Sequence, residues 1–219
     1  MVTFNDIKNN PEIRAYIEAA DRSLCALGYT EHSFAHVGRV AEVTAEILVA
    51  VGHTERVAEL GRIAGFLHDI GNLVNRVDHS QSGAVMAFSL LRDMGMDPLE
   101  IAEITIAIGN HDEGTGMPVS EIAAALILAD KSDVRRTRVR DASEVAVDIH
   151  DRVNYSVVDS SLSIDREGGT LRLDLTIDDS VGSVTDYFEI FLERMLMCRR
   201  AAQRLGLTFR FFINGRAMM

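Results

Sequence analysis

Three segments of this chain carry imidazole or carboxylate groups on faces that a helix would bury. His68-Asp69 closes the run GFLHDIGN. His68 falls one turn after Ala64 and two after Leu60, and Asp69 is rotated about 100° from it. His36, in HSFAHVGRVAEV, shares a face with Val40, Val43 and Ile47, and Asp130, in ALILADKSD, shares one with Ala123, Leu126 and Ile127. Burying such groups singly is costly, and each would need its own partner. A divalent metal answers all of them at once: the imidazoles stay neutral and coordinate, and the carboxylates find their counter-charge. A mixed nitrogen and oxygen set suits iron, manganese, cobalt, nickel or zinc better than magnesium or calcium. The His-Asp dipeptide recurs at His111-Asp112 and His150-Asp151, so context, not the dipeptide, singles out His68-Asp69.

Helices must position these groups. Asn10-Pro11 offers a cap and a proline in the first turn, and a stripe from Ile13 to Leu27 follows until Gly28 ends it. Further helical patterns run over 33–51, from about Glu55, over 79–94, from Asp97-Pro98-Leu99-Glu100 (read as a capping box), over 122–130 and over 144–158. The pattern then changes. Leu162 and Ile164, then Leu171, Leu173, Leu175 and Ile177, alternate with polar residues around Arg166-Glu167-Gly168-Gly169, which predicts a β-hairpin. Ser183 caps a long helix ended by Gly206, and 208–213 reads as a last strand. The expected architecture is mainly α: a helical body over 1–160, then a small β-β-α-β appendage over 161–219.

His36, His68-Asp69 and Asp130, in that order on successive helices, resemble the H…HD…D pattern of the HD-domain superfamily of metal-dependent phosphohydrolases. The resemblance covers about residues 30–140 and implies an all-α bundle holding metal among its helices. In members similar to this chain, histidines placed like His79 and His111 supply a second metal. The resemblance therefore implies a set of His36, His68, Asp69, His79, His111 and Asp130, one or two divalent ions, and Asp69 bridging. It also implies a metal-activated water attacking a phosphoester of a small substrate, for instance a nucleotide, with Asp69 orienting the nucleophile and Asp112 as the donor to the leaving oxygen. Many members have lysine where this chain has Asn72; the charge facing a phosphate would then come from Lys131, from the stretch of Arg135, Arg136, Arg138 and Arg140, or from Arg39 one turn after His36, with Asn72 donating a hydrogen bond. His32, His53 and His150 are assigned to solvent or helix ends. Two other activities fit the same pattern: a di-iron oxygenase, since some HD-fold oxygenases use nearly the same six ligands, and a non-catalytic signalling or binding module, against which the presence of all six positions counts.

Composition narrows the partners. The 219 residues carry 47% apolar and 25% charged side chains, which excludes disordered and collagen-like chains. A net charge of −11 with only two lysines, Lys8 and Lys131, argues against general nucleic-acid binding. It leaves a small phosphorylated substrate open, because a bound metal can dominate the local field. No apolar run approaches the ~20 residues of a membrane helix, and the first residues lack a secretory core. Cys25 and Cys198 are read as buried reduced thiols, the protein as cytoplasmic, and the appended sheet edge as a means of forming a homodimer.

Overall fold

The computed structural model describes residues 1–141 and 148–219. Polar caps set the helix starts. Thr3 and Asp6 form a capping box on α1 (Phe4–Asn9), a short helix that the sequence reading missed. Asn10 accepts from the backbone of Glu12 and Ile13 at the head of α2 (Pro11–Ala26). Ser33 caps α3 (Phe34–Ala50) and Thr54 caps α4 (Glu55–Leu67). A 3-10 turn over Ile70–Leu73 leads to α5 (His79–Asp93). Asp97 caps α6 (Pro98–Gly109) by accepting from Leu99 and Glu100. No reciprocal box forms there, because the Glu100 carboxylate is taken by Arg56. Ser120 caps α7 (Glu121–Ser132), whose residues 122–129 are all buried; it is the central helix, apolar all round instead of striped.

Two glycine approaches bring the ligand-bearing helices together. A Cβ on Gly65 of α4 would lie 2.8 Å from the Ala41 Cα of α3, so only glycine lets these helices pack this closely. In the 3-10 turn, a Cβ on Gly71 would lie 2.0 Å from the His79 carbonyl oxygen and 2.4 Å from the Gly83 nitrogen. We therefore expect Gly71→Ala to cost about 3 kcal/mol, at the upper end of overpacking penalties, read as a lowered denaturation midpoint with unchanged m-value.

Beyond α7 the chain departs from the sequence reading in three places. The helix expected over 144–158 is α8 (Ile149–Ser156), capped by Asp148, and its first expected residues, 144–147, lie outside the described residues. Strand β1 (Val157–Asp165) starts at once, replacing the expected last helical turn. It pairs antiparallel with β2 (Thr170–Ile177), and β2 pairs in parallel with β3 (Thr208–Ile213) after the crossover helix α9 (Val184–Arg204). A further strand, β4 (Arg216–Ala217), turns back on β3 through Asn214-Gly215, both at positive φ as a two-residue hairpin requires. The sheet order is β1-β2-β3-β4. Leu171, Leu173, Phe209 and Phe211 form a buried face against Tyr187 and Phe191 of α9. Position 160 lies inside β1, and α9 packs on both α7 and β3, so one core runs through the described residues. No helix among them is long and apolar enough to cross a membrane.

Candidate metal centre

The ends of four helices and one loop meet at a cavity of about 390 Å³. α3 supplies His36, the end of α4 supplies His68 and Asp69, and α7 supplies Asp130. His79 opens α5, where Asp78 at φ 55 turns the chain inward, and His111 follows α6. The six side chains fall into two groups joined by one carboxylate. On one side His36 Nε2 lies 3.3 Å from His68 Nε2, 3.5 Å from Asp69 Oδ2 and 3.4 Å from Asp130 Oδ1, while His68 Nε2 is 3.2 Å from Asp69 Oδ2. On the other, His79 Nε2 lies 3.2 Å from His111 Nε2 and 3.5 Å from Asp69 Oδ1. The two oxygens of Asp69 thus face different imidazole pairs.

The donor set fits a metal, and the far side of each ring shows why. The Nδ1 of His68, His79 and His111 faces a backbone carbonyl, of Gly65, Arg76 and Ile108, at 2.8, 3.1 and 2.6 Å. A carbonyl only accepts, so each Nδ1 carries the proton. His36 Nδ1 donates likewise to the Asp133 carboxylate at 2.7 Å. In the neutral rings every Nε2 is then a bare lone pair, and those lone pairs abut in couples at 3.2–3.3 Å. Only a cation relieves that arrangement, and outer anchors of this kind are what orient metal-binding histidines. Without a metal the relief is a proton. Burial opposes it at His68, but the Asp69 charge and the hydrogen bonds to Asp130 and Asp69 push that imidazole up to about 10. Burial works to raise Asp69, yet His68, His32 and His36 hold its carboxyl well below the usual range. Burial and the neighbouring His68 charge keep His111 well below an ordinary histidine.

Outside these six, the structure disposes of the other sequence-derived residues as follows. Asn72 is buried and donates to both the backbone oxygen and Oδ1 of Asp69, each at 2.9 Å. Lys131 lines the cavity but is buried, its Nζ 2.7 Å from Asp130 Oδ2 and 2.6 Å from Glu113 Oε2. Asp112 Oδ1 lies 3.9 Å from His79 Nε2. Of the candidate arginines Arg138 reaches the cavity wall, Arg140 pairs with Asp21, and the other three are held elsewhere. Arg39 and Arg135 both grip Asp133, at 3.2 and 2.7 Å, behind His36. Arg136 reaches Asp178 and the Tyr155 carbonyl. His53 lies in the turn between α3 and α4, and His150, exposed in the first turn of α8, lines the cavity too; His32 is drawn further in. It is 12% exposed, with Nδ1 on the Thr30 carbonyl and Nε2 4.0 Å from Asp69 Oδ2, on the cavity wall.

Several residues at the centre escaped the sequence reading. Asp133 follows Asp130 by three residues and had that spacing as its signal. Glu113 stands beside His111-Asp112, and its second oxygen accepts from Arg194 Nε of α9 at 2.6 Å. Arg194 had no local signal, being 81 residues from its partner. Arg76 also reaches the wall and had no signal in the sequence.

A family model, described as the HD domain, matches residues 33–155. Among solved structures the chain is similar to a predicted HD superfamily hydrolase from an uncultured Thermotogales bacterium, at 27% identity, covering 62% of this chain and 75% of that one, with a TM-score of 0.44. No curated protein sequence matches the chain. The matched span is more than half of the 219 residues and contains all six converging side chains, so the chain belongs to the HD-domain family.

Proposed function

We propose that the protein is a metal-dependent phosphohydrolase that cleaves a phosphoester of a small substrate, with His36, His68, Asp69 and Asp130 holding one divalent ion and Asp69, His79 and His111 a second. What carries this reading is the Asp69 carboxylate, whose two oxygens face two separate imidazole pairs. Ions held in this way would make a water nucleophilic near neutral pH and offset charge developing on phosphoryl oxygens. The chain's own contribution is positioning. Asn72 fixes the rotation of Asp69, Asp133 fixes that of His36, and Lys131 holds the second oxygen of Asp130 so that its first points at His36. Asp112, 26% exposed beside His79, is assigned the transfer of a proton to the leaving oxygen. We read the protein as cytoplasmic and as pairing with a second copy through an edge of the appended sheet; both cysteines are free, Cys198 buried as expected and Cys25 exposed, against expectation.

Metal analysis of protein purified without chelator, followed by a screen of phosphoesters with each of the five metals named above, tests the activity. Metal-dependent release of phosphate supports it. Oxygen uptake by the ferrous protein, with no phosphate released, would replace it with the oxygenase. A second expectation follows from the His68 imidazole at about 10. Metal uptake at pH 7 must expel that proton, so calorimetry in buffers of different ionisation enthalpy should count at least one proton released. The count should fall by one as pH rises through about 10. In the metal-free protein the same proton adds stability that is complete below the ordinary histidine value and is lost as pH rises through about 10.

A further inference from the structure

Four cationic side chains reach the cavity wall: Arg76, Lys131, Arg138 and Arg194. Three are spoken for. Lys131 lies between Asp130 and Glu113, Arg194 holds Glu113, and Arg138 donates to the Glu31 and Asp133 carbonyls at 3.0 and 2.9 Å. Arg76 differs. Among the described residues its ion-pair partner is Asp69, with Oδ1 4.0 Å away, and its Nη1 rests 3.3 Å from His79 Nε2 and 3.4 Å from Asn72 Oδ1. The guanidinium sits over the Tyr29 ring, 5.6 Å from its centroid, which holds the planar fork without neutralising it. His79 Nε2 is the lone pair that a cation would take. Once it is taken, Nη1 keeps only the long contact to Asn72 Oδ1, and like charge keeps the guanidinium off the ion. What fits between them is an oxyanion.

Resting on the phosphohydrolase reading, we infer that Arg76 is the phosphoryl clamp of this site and makes it selective for phosphomonoesters over phosphodiesters. A guanidinium fork takes two oxygens in one plane. A monoester dianion offers three non-bridging oxygens and a diester only two, so the monoester alone can serve the fork and still face the imidazole and carboxylate cluster.

The test uses the metal-loaded full chain, with inorganic phosphate as the binding probe and p-nitrophenyl phosphate and bis(p-nitrophenyl) phosphate as substrates. Arg76→Gln should weaken phosphate binding by calorimetry about 10- to 100-fold, the worth of a charged hydrogen-bonding group, at unchanged metal content. It should raise the monoester KM and lower the monoester-to-diester ratio of kcat/KM, and Arg76→Lys should recover part of each. Phosphate affinity within threefold of the parent protein, or absent from the parent itself, overturns the clamp, as does loss of metal in Arg76→Gln, which would make Arg76 a support for His79. Arg76-dependent phosphate binding without any hydrolysis would keep the clamp and sink the phosphohydrolase; hydrolysis indifferent to Arg76 would do the reverse.

Discussion

Asp69→Ala should emerge from purification without metal and with phosphoester turnover reduced by about 10³-fold or more, beyond the loss of a single transition-state donor. The reason is the double duty of one carboxylate: Oδ2 serves the His36–His68 pair and Oδ1 the His79 side, so a single substitution removes a ligand from both groups. The metal-free variant offers a readout independent of activity. Without the Asp69 charge, the first of the influences raising His68, that imidazole should titrate below its value of about 10, visible in ring-proton NMR. Asp69→Asn keeps the shape, so a metal content like the parent's in that variant would show that the carboxylate charge is dispensable and that the assignment of Asp69 as shared ligand is wrong.

Lys131→Met should lower folding stability by about 3–5 kcal/mol, the range for breaking a buried ion pair from one side. Lys131 is 4% exposed. Burial works against its charge, but Asp130 and Glu113 hold the ammonium well above its ordinary value, and Lys131 in turn holds Glu113 well below an ordinary carboxyl. With the ammonium gone, the Asp130 and Glu113 carboxylates lose the cation between them. The sign of the pH effect follows. Glu113 now gives the parent protein stability that is present above the ordinary glutamate value and lost as pH falls through its depressed one. The variant keeps only the part that Arg194 supplies and lacks the part due to Lys131, so the gap between the two proteins should narrow as pH falls. Denaturant titrations at pH 4 and pH 7 measure it, and a gap that widens in acid would rule the account out. Adding Glu113→Gln should restore part of the loss, as a double-mutant cycle of contacting residues requires.

The HD-type helical fold was largely legible because its helix starts carry local chemical marks: Asn10-Pro11 and Ser183 cap where their types and spacing predict, and α3 and α4 begin where the apolar pattern places them. The meeting of His36, His68, Asp69 and Asp130 was legible too, since a polar group on an apolar stripe announces a buried destination. The arginines were not. Arg135 and Arg136 look like phosphate forks in DKSDVRRTRVR, but Asp133, two residues away, and Asp178, in a distant turn, claim them. Helical periodicity says which way a side chain points and is silent about which remote acid awaits it. For the same reason Arg194 and Arg76 went unseen. The short α1 and β4 lacked the length for a periodic signal, and Glu100 shows a local capping pattern overridden by a long-range ion pair with Arg56.

The crossover helix α9 carries a consequence for how this protein is made. Every candidate ligand lies before residue 131, while the guanidinium that steadies Glu113, and through it Lys131 and Asp130, arrives at residue 194. On the ribosome the imidazoles and acids are therefore synthesised well ahead of their last support. A nascent chain halted before α9 leaves the tunnel with its ligands in hand and Glu113 unsecured, so tight loading with ions should wait until translation has passed that helix.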